Sequence, residues 1–401
     1  MTEVIIDRLG REGDGIAADG FHPFTLPGER IVPGAPPQVL APSPDRVPPP
    51  CPHFGACGGC TLQHAGDAFL ARWKVGTIER ALAARGLQAP MRPILTSPPH
   101  GRRRATFAAR RTRKGVQVGF HARASDRIVD IRTCHLVRTG MLELFPAIGQ
   151  MARIGASRKA ALRVQVTDSA AGWDVAVAGG KAPDAALRAE LARLAAGAGI
   201  ARLAWDGEVI AQHRPPAQAL GRAQVVPPPG AFLQATAEGA AALVAAVRAA
   251  VGGARRVADL FAGCGTFALP LAETAEVHAV EGDAAMLAAL DAGWRRADGL
   301  KAVTHEARDL FRRPLEPLEL RRFDAVVIDP PRAGAEAQTA RLAQAGVPVV
   351  AAVSCDPATF ARDAAILTGA GYALDWVQPV DQFRWSGHME LAARFSRTDG
   401  P

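Results

Sequence analysis

The sequence predicts an α/β protein whose last part, from about residue 230, is a doubly wound, Rossmann-like parallel sheet. Three observations carry this. Apolar stretches recur at 255–261, 276–281, 323–329 and 348–354 with helical patterns between them, the alternation that builds parallel sheets from crossover units. The first stretch runs into a glycine turn, Asp259-Leu-Phe-Ala-Gly263-Cys-Gly265-Thr266. A hard stop, Pro227-Pro228-Pro229-Gly230, precedes the whole block, as a boundary should.

A chain of 401 residues is too long for one ordinary core, so two or three domains are expected. Residues 1–47 read as a short β module in which Val4-Ile5-Ile6 begins a strand. Five prolines between Pro42 and Pro50 make a linker. Residues 48–229 read as a smaller α+β domain with helices near 67–86 and 183–198, and residues 230–401 as the doubly wound domain. With 48% hydrophobic and 21% charged residues the chain reads as soluble and globular. No secretory signal opens it, because Asp7 and Arg8 interrupt the first apolar stretch. The alanine-rich run 239–251 is too short to span a bilayer. A cytoplasmic monomer with no membrane contact is expected, and its six cysteines suit metal binding or catalysis better than disulfides.

Glycines are needed at 263 and 265 because the backbone turns sharply there and must approach a ligand closely. Glu281 ends the next strand, Val277-His-Ala-Val-Glu281, placed to accept hydrogen bonds from ribose hydroxyls. Alone this is ambiguous, since Gly263-x-Gly265-x-x-Ala268 also fits the dinucleotide fingerprint. Asp329-Pro330-Pro331 follows the 323–329 strand at the edge where open α/β sheets bind ligands. Two prolines there leave carbonyls free of backbone donors. The three features together point to S-adenosylmethionine over a nicotinamide. Arg332 stands where methyltransferases of exocyclic amines place an aromatic residue, which counts against that chemistry.

Val353-Ser354-Cys355-Asp356-Pro357 ends a strand and starts a helix. Asp356 and Pro357 suit the N-cap and first helical positions, so the helix dipole should favour the Cys355 thiolate. Cys264, inside the glycine turn, reads as packing. A thiolate has a specific use in methyl transfer. Carbon 5 of a pyrimidine is a poor nucleophile until a thiolate adds to carbon 6, and a base must afterwards remove the carbon-5 proton. His388 and Glu390 in Asp381-Gln-Phe-Arg-Trp-Ser-Gly-His388-Met-Glu390 are candidates for that base.

Cys51, Cys57 and Cys60 fall within ten residues, and Cys134 can supply a fourth thiol. Their chemistry fits tetrahedral zinc or a four-iron cluster. Arg102, Arg103, Arg104, Arg110, Arg111, Arg113 and Lys114 put seven cations into thirteen positions with no acid among them. With a net charge of +8, this pattern predicts contact with nucleic acid phosphates.

With the cysteine cluster, Asp-Pro-Pro-Arg, Ser-Cys-Asp-Pro and the terminal His-x-Glu in place, the sequence resembles the RNA uracil-C5 methyltransferase family over nearly its whole length. The resemblance implies a class I methyltransferase domain behind a smaller iron–sulfur domain, acting on a uridine of structured RNA. Ribosomal RNA is favoured over transfer RNA, because the cysteine cluster and the N-terminal module are commoner among ribosomal members. It implies Cys51, Cys57, Cys60 and Cys134 as ligands of a [4Fe-4S] cluster, Cys355 as nucleophile and Glu390, over His388, as base. It implies Gln234, Phe261, Thr266, Glu281, Asp309 and Asp329 as contacts of S-adenosylmethionine, beside Gly263 and Gly265. Two departures stand out. The N-terminal module keeps Gly13-Asp14-Gly15 and Leu26-Pro-Gly-Glu-Arg30 but lacks about two strands of a full TRAM barrel. Arg384 replaces a proline and should alter the local turn. Two rivals remain: an amine methyltransferase that dispenses with Cys355, and a metal-binding RNA-binding protein with an inactive methyltransferase domain.

Overall fold

A computed structural model describes residues 3–157 and 160–398. Met1, Thr2 and the last three residues, read above as part of the opening segment and the tail, lie outside the described residues. The dominant element is an eight-stranded sheet. Its order across the sheet is Val303–Ala307, Glu276–Glu281, Arg256–Leu260, Ala325–Ile328, Val349–Ser354, Glu390–Arg397, Tyr372–Asp381 and Leu95–Thr96. The first five are mutually parallel and Glu390–Arg397 is antiparallel. Side chains alternate between two cores, one on each face: Val257, Val277, Val327 and Ala351 on one, and Leu260, Val280, Ile328 and Val350 on the other. Burial on both faces is what made these strands read as continuous apolar runs.

The strand order reverses between Arg256–Leu260 and Ala325–Ile328, whose carboxyl ends open the crevice where such sheets bind ligands. The α/β methyltransferase fold expected from the sequence is therefore present. Val303–Ala307 was not among the apolar stretches. It is an edge strand, largely exposed, and lacks the two-sided burial that marks the others.

The segment 48–229 is shared between two cores. Its seven-stranded sheet packs against helices Phe145–Gly155 and Ala185–Gly197 around Phe107, Met151 and Trp205. Helix Asp67–Ala83 instead sends Ile78 and Leu82 into the core of the C-terminal sheet, and Leu95–Thr96 joins that sheet's edge. The hairpin Gln218–Leu220/Ala223–Val225 also packs there through Leu220 and Val225. Residues 4–41 form two three-stranded sheets of short strands. The turn Leu26–Arg30 is held by Glu29, a fully buried carboxylate that accepts from Arg46 and from the Leu26 backbone N–H. Among the described residues no helix is long and apolar enough to cross a membrane.

Candidate active site

Cys355 follows the Val349–Ser354 strand directly. Asp356 caps helix Pro357–Gly369 by accepting from the Ala358 and Thr359 N–H groups, and Pro357 takes the first helical position. Ser354 lies opposite Leu391 in the neighbouring antiparallel strand, so the next residues on either side, Cys355 and Glu390, meet at one sheet edge. Asp329 closes the adjacent strand, its N–H donating to the Leu260 carbonyl at 3.2 Å. The three groups sense one another electrostatically. Burial pushes the Cys355 thiol up to about 11, with the charges of Glu390 and Asp329 adding and Arg332 opposing. Burial pushes Glu390 up to about 8, helped by Asp329 and opposed by a hydrogen bond from Gln382 and by Arg332. Burial alone raises Asp329 to about 7.

The helix terminus is thus in place, and burial with two neighbouring carboxyl groups opposes the thiolate that it favours. Arg332 opposes the upward shift of both Cys355 and Glu390. Burial lowers the His388 pKa; Arg332, Lys74 and Arg102 lower it further while Glu12 opposes, and its ring lies edge-on to Phe383 at 6.0 Å.

The cofactor candidates divide into three groups. Gly263 and Gly265 adopt φ of 56° and 97°, which only glycine takes without strain, and Thr266 completes the turn. Phe261, also at positive φ, stacks obliquely on Phe311 at 5.3 Å, an exposed aromatic residue not picked out from the sequence. The Glu281 carboxylate accepts from the N–H groups of Gly263 (3.0 Å) and Asp283 (2.9 Å), so it buttresses the glycine turn while its remaining lone pairs stay free for hydroxyls. A glycine turn, an adjacent carboxylate and an aromatic pair at the crevice fit an adenosyl group. Asp309 is exposed and accepts from the Phe311 and Arg312 N–H groups of its own turn. Gln234 is buried and its side-chain Oε1 accepts from the Gln382 side chain at 2.5 Å. It is tied to the loop of the proposed base through Gln382, a residue that sequence reasoning passed over. Cys264 is buried in the core with its thiol pushed up to about 11 by burial, as befits packing.

Cys51, Cys57, Cys60 and Cys134 line one pocket together with Arg102 and Gln63. Among the described residues no group of three His, Cys, Asp or Glu side chains is drawn together as a single metal ion requires, where sulfurs sharing one zinc at ~2.3 Å would crowd one another. Burial pushes the Cys60 thiol up to about 12 and raises that of Cys57, so these two sulfurs disfavour the charged form unless a cation sits beside them.

The basic run is not one patch. Arg102 sits beside the cysteine pocket with its guanidinium 5.6 Å from the Phe383 ring. Arg103 donates to the Gln234 backbone carbonyl at 3.1 Å, and Arg104 lies over Phe232 at 4.6 Å. Arg110 and Arg111 end the Arg104–Arg111 strand, with Arg113 in the turn beyond, and Arg111 is about 23 Å from Arg104 at ~3.3 Å per residue.

A family model described as tRNA (uracil-5-)-methyltransferase matches residues 227–398. An uncharacterized RNA methyltransferase of Rhizobium meliloti is 45% identical, over 98% of this chain and 99% of its own length. The 23S rRNA (uracil(1939)-C(5))-methyltransferase RlmD of Halomonas elongata is 34% identical, over 97% of this chain and 88% of that one. Among solved structures, the Pyrococcus abyssi tRNA (uracil-54, C5)-methyltransferase in complex with S-adenosyl-L-homocysteine superposes with a TM-score of 0.79. At 23% identity, over 98% and 99% of the two chains, that likeness shows the shared fold.

Proposed function

Because this chain belongs to the RNA uracil-C5 methyltransferase family, we propose that it methylates carbon 5 of one uridine in structured RNA through a covalent bond from Cys355. The observation that carries the proposal is the meeting of Cys355, Glu390 and Asp329 at the crevice edge. The target base leaves its stack to enter that edge. Cys355, as thiolate, adds through Sγ to carbon 6, and the carbon 5–carbon 6 electron pair moves onto carbon 5. Carbon 5 then takes the methyl group that S-adenosylmethionine supplies when bound. The Glu390 carboxylate removes the carbon-5 proton, the double bond re-forms, and the thiolate is expelled. One carbon–hydrogen bond has become a carbon–carbon bond and one proton is released.

Gly263, Gly265, Thr266, Phe261 and Glu281 would hold the adenosyl group, and Asp329 would face the reacting end. Gln234 supports the loop of Glu390, and Asp309 is assigned the outermost contact. The four pocket cysteines would hold a [4Fe-4S] cluster. Iron and sulfide near four per chain after anaerobic purification are expected, and zinc or no metal would overturn that assignment. Ribosomal RNA is the proposed substrate, supported by the full-length likeness to an enzyme named for 23S rRNA. The site is proposed to work in the cytoplasm, as a monomer.

The test uses 5-fluorouridine-substituted ribosomal and transfer RNA with the methyl donor. Fluorine cannot leave as a proton, so a stable protein–RNA adduct at Cys355 is expected with ribosomal RNA. An adduct with transfer RNA alone would reassign the substrate. Full methylation by Cys355→Ala would overturn the covalent mechanism and restore the amine rival. Failure to bind S-adenosylmethionine would restore the inactive one.

A further inference from the structure

The residue most deeply engaged with the loop of the proposed base comes from outside the C-terminal segment. Lys74, in helix Asp67–Ala83, has a side chain with no solvent exposure. Its ammonium lies 2.6 Å from Oδ1 of Asp381, itself buried, and donates to the carbonyls of Phe383 at 3.2 Å and His388 at 2.9 Å. An ammonium has three protons, and these three acceptors use them all. Asp381 Oδ1 also accepts from the Phe383 N–H at 3.0 Å. Asp381 is the last residue of one strand, and His388 stands two residues before Glu390, the first residue of the next. One buried cation therefore ties both ends of the turn that delivers Glu390.

The pairing of these strands does not need it. Tyr372–Asp381 and Glu390–Arg397 are already joined along most of their length, with Val380 opposite Glu390. A buried ion pair is weak evidence for stability, because desolvation offsets most of the attraction and an apolar side chain of similar volume often serves as well. What a three-way ammonium adds is position. We infer that Lys74 is a positioning residue for proton removal: it fixes the turn so that the Glu390 carboxylate stands at carbon 5 once the methyl group is in place. This rests on the carbon-5 reading above.

The covalent cycle supplies a readout that a merely structural residue would not move. Bond formation by Cys355 and methylation precede proton removal, so misplacing Glu390 stalls the cycle after the adduct has formed. In Lys74→Met, kcat for methylated product should fall on the order of 10²-fold, the lower end of what a placed base contributes, with KM for RNA within about threefold. A covalent adduct should then accumulate on ordinary uridine RNA when S-adenosylmethionine is present, visible as a denaturation-resistant protein–RNA band. Trapping by 5-fluorouridine RNA should stay at the parent rate. The double variant Lys74→Met/Asp381→Asn removes both charges together and guards against misfolding from an unpaired Asp381; it should show the same stalled adduct. Unchanged turnover in both variants would overturn the inference. So would equal loss of turnover and trapping in the double variant, which would make Lys74 a scaffold residue. No trapping by the parent protein would instead sink the carbon-5 reading, and the inference with it.

Discussion

Glu390 carries a carboxyl group where the charged form is disfavoured, by burial and by the neighbouring Asp329. Its pKa in the folded protein is about 8, against 4.5 for the free group, so the folded state holds this proton more tightly than the unfolded chain does. The stability this contributes is complete below about pH 4.5 and is lost as pH rises through about 8. A base must be ionised to act, so the conditions that equip Glu390 for proton removal are those in which it strains the fold. Glu390→Gln keeps the shape and removes the charge. At pH 9 it should raise Tm by a few degrees, on the order of a few kcal/mol, and at pH 5 it should change Tm far less, measured by thermal unfolding. Turnover should fall by roughly 10²–10⁴-fold. Because Glu390 also holds the Cys355 thiol up, alkylation of Cys355 should begin at lower pH in the variant. Equal Tm differences at both pH values would contradict this account. The same residue shows how far sequence reading reached: Glu390 was found from a local pattern, but its environment depends on Gln382 and Asp329, which are neighbours only after folding.

At the scale of elements, the glycine turn and the Ser-Cys-Asp-Pro corner were legible because their chemistry is local. Positive φ demands glycine, and an N-cap demands a short acceptor side chain within three residues. Elements whose role depends on docking were not legible. Helix Asp67–Ala83 could be read from its apolar spacing, yet nothing along the sequence marks Lys74 as buried rather than solvated. The Arg384 turn is similar. Arg384 pairs with Asp67 at the start of that helix, and Trp385 adopts positive φ while its carbonyl accepts from the Thr61 and Leu62 N–H groups beside Cys60. The N-terminal hairpin closes the other side of the turn. A Cβ added at Gly387 would stand 2.2 Å from the Arg11 carbonyl oxygen, and Arg11 itself pairs with Asp356, next to Cys355. Gly387→Ala must push the two backbones apart, at a cost of about 1–3 kcal/mol. It should lower Tm and kcat while leaving S-adenosylmethionine affinity, measured by calorimetry, unchanged. A weakened affinity would show that the hairpin also shapes the cofactor crevice.

For the whole molecule, charge is arranged in two tiers along one strand. Arg102, Arg103 and Arg104 are half-buried between the cysteine pocket and the C-terminal sheet, where their guanidinium groups face carbonyls and aromatic rings. Burial lowers the pKa of all three, which is a cost the fold bears to brace its two cores together. Arg110 donates only weakly, to the Asp126 carbonyl at 3.4 Å, while Arg113 and Lys114 are exposed. The composition alone could not separate these roles, because a run of arginines reads the same whether it braces or binds. For the proposed RNA substrate, phosphate contact is expected at the outer tier. Each phosphate contact adds roughly one to the slope of log K against log salt. Arg111→Ala/Arg113→Ala should therefore lower the slope for structured RNA by roughly two and weaken binding about equally for RNAs of different sequence. Arg103→Ala should leave the slope nearly unchanged and instead lower Tm, because it frees the Gln234 carbonyl. Filter binding of folded RNA across a salt series, beside thermal unfolding, measures both. A slope unmoved by the outer pair and reduced by Arg103→Ala would reverse the tiers and place the RNA path through the cleft between the cores.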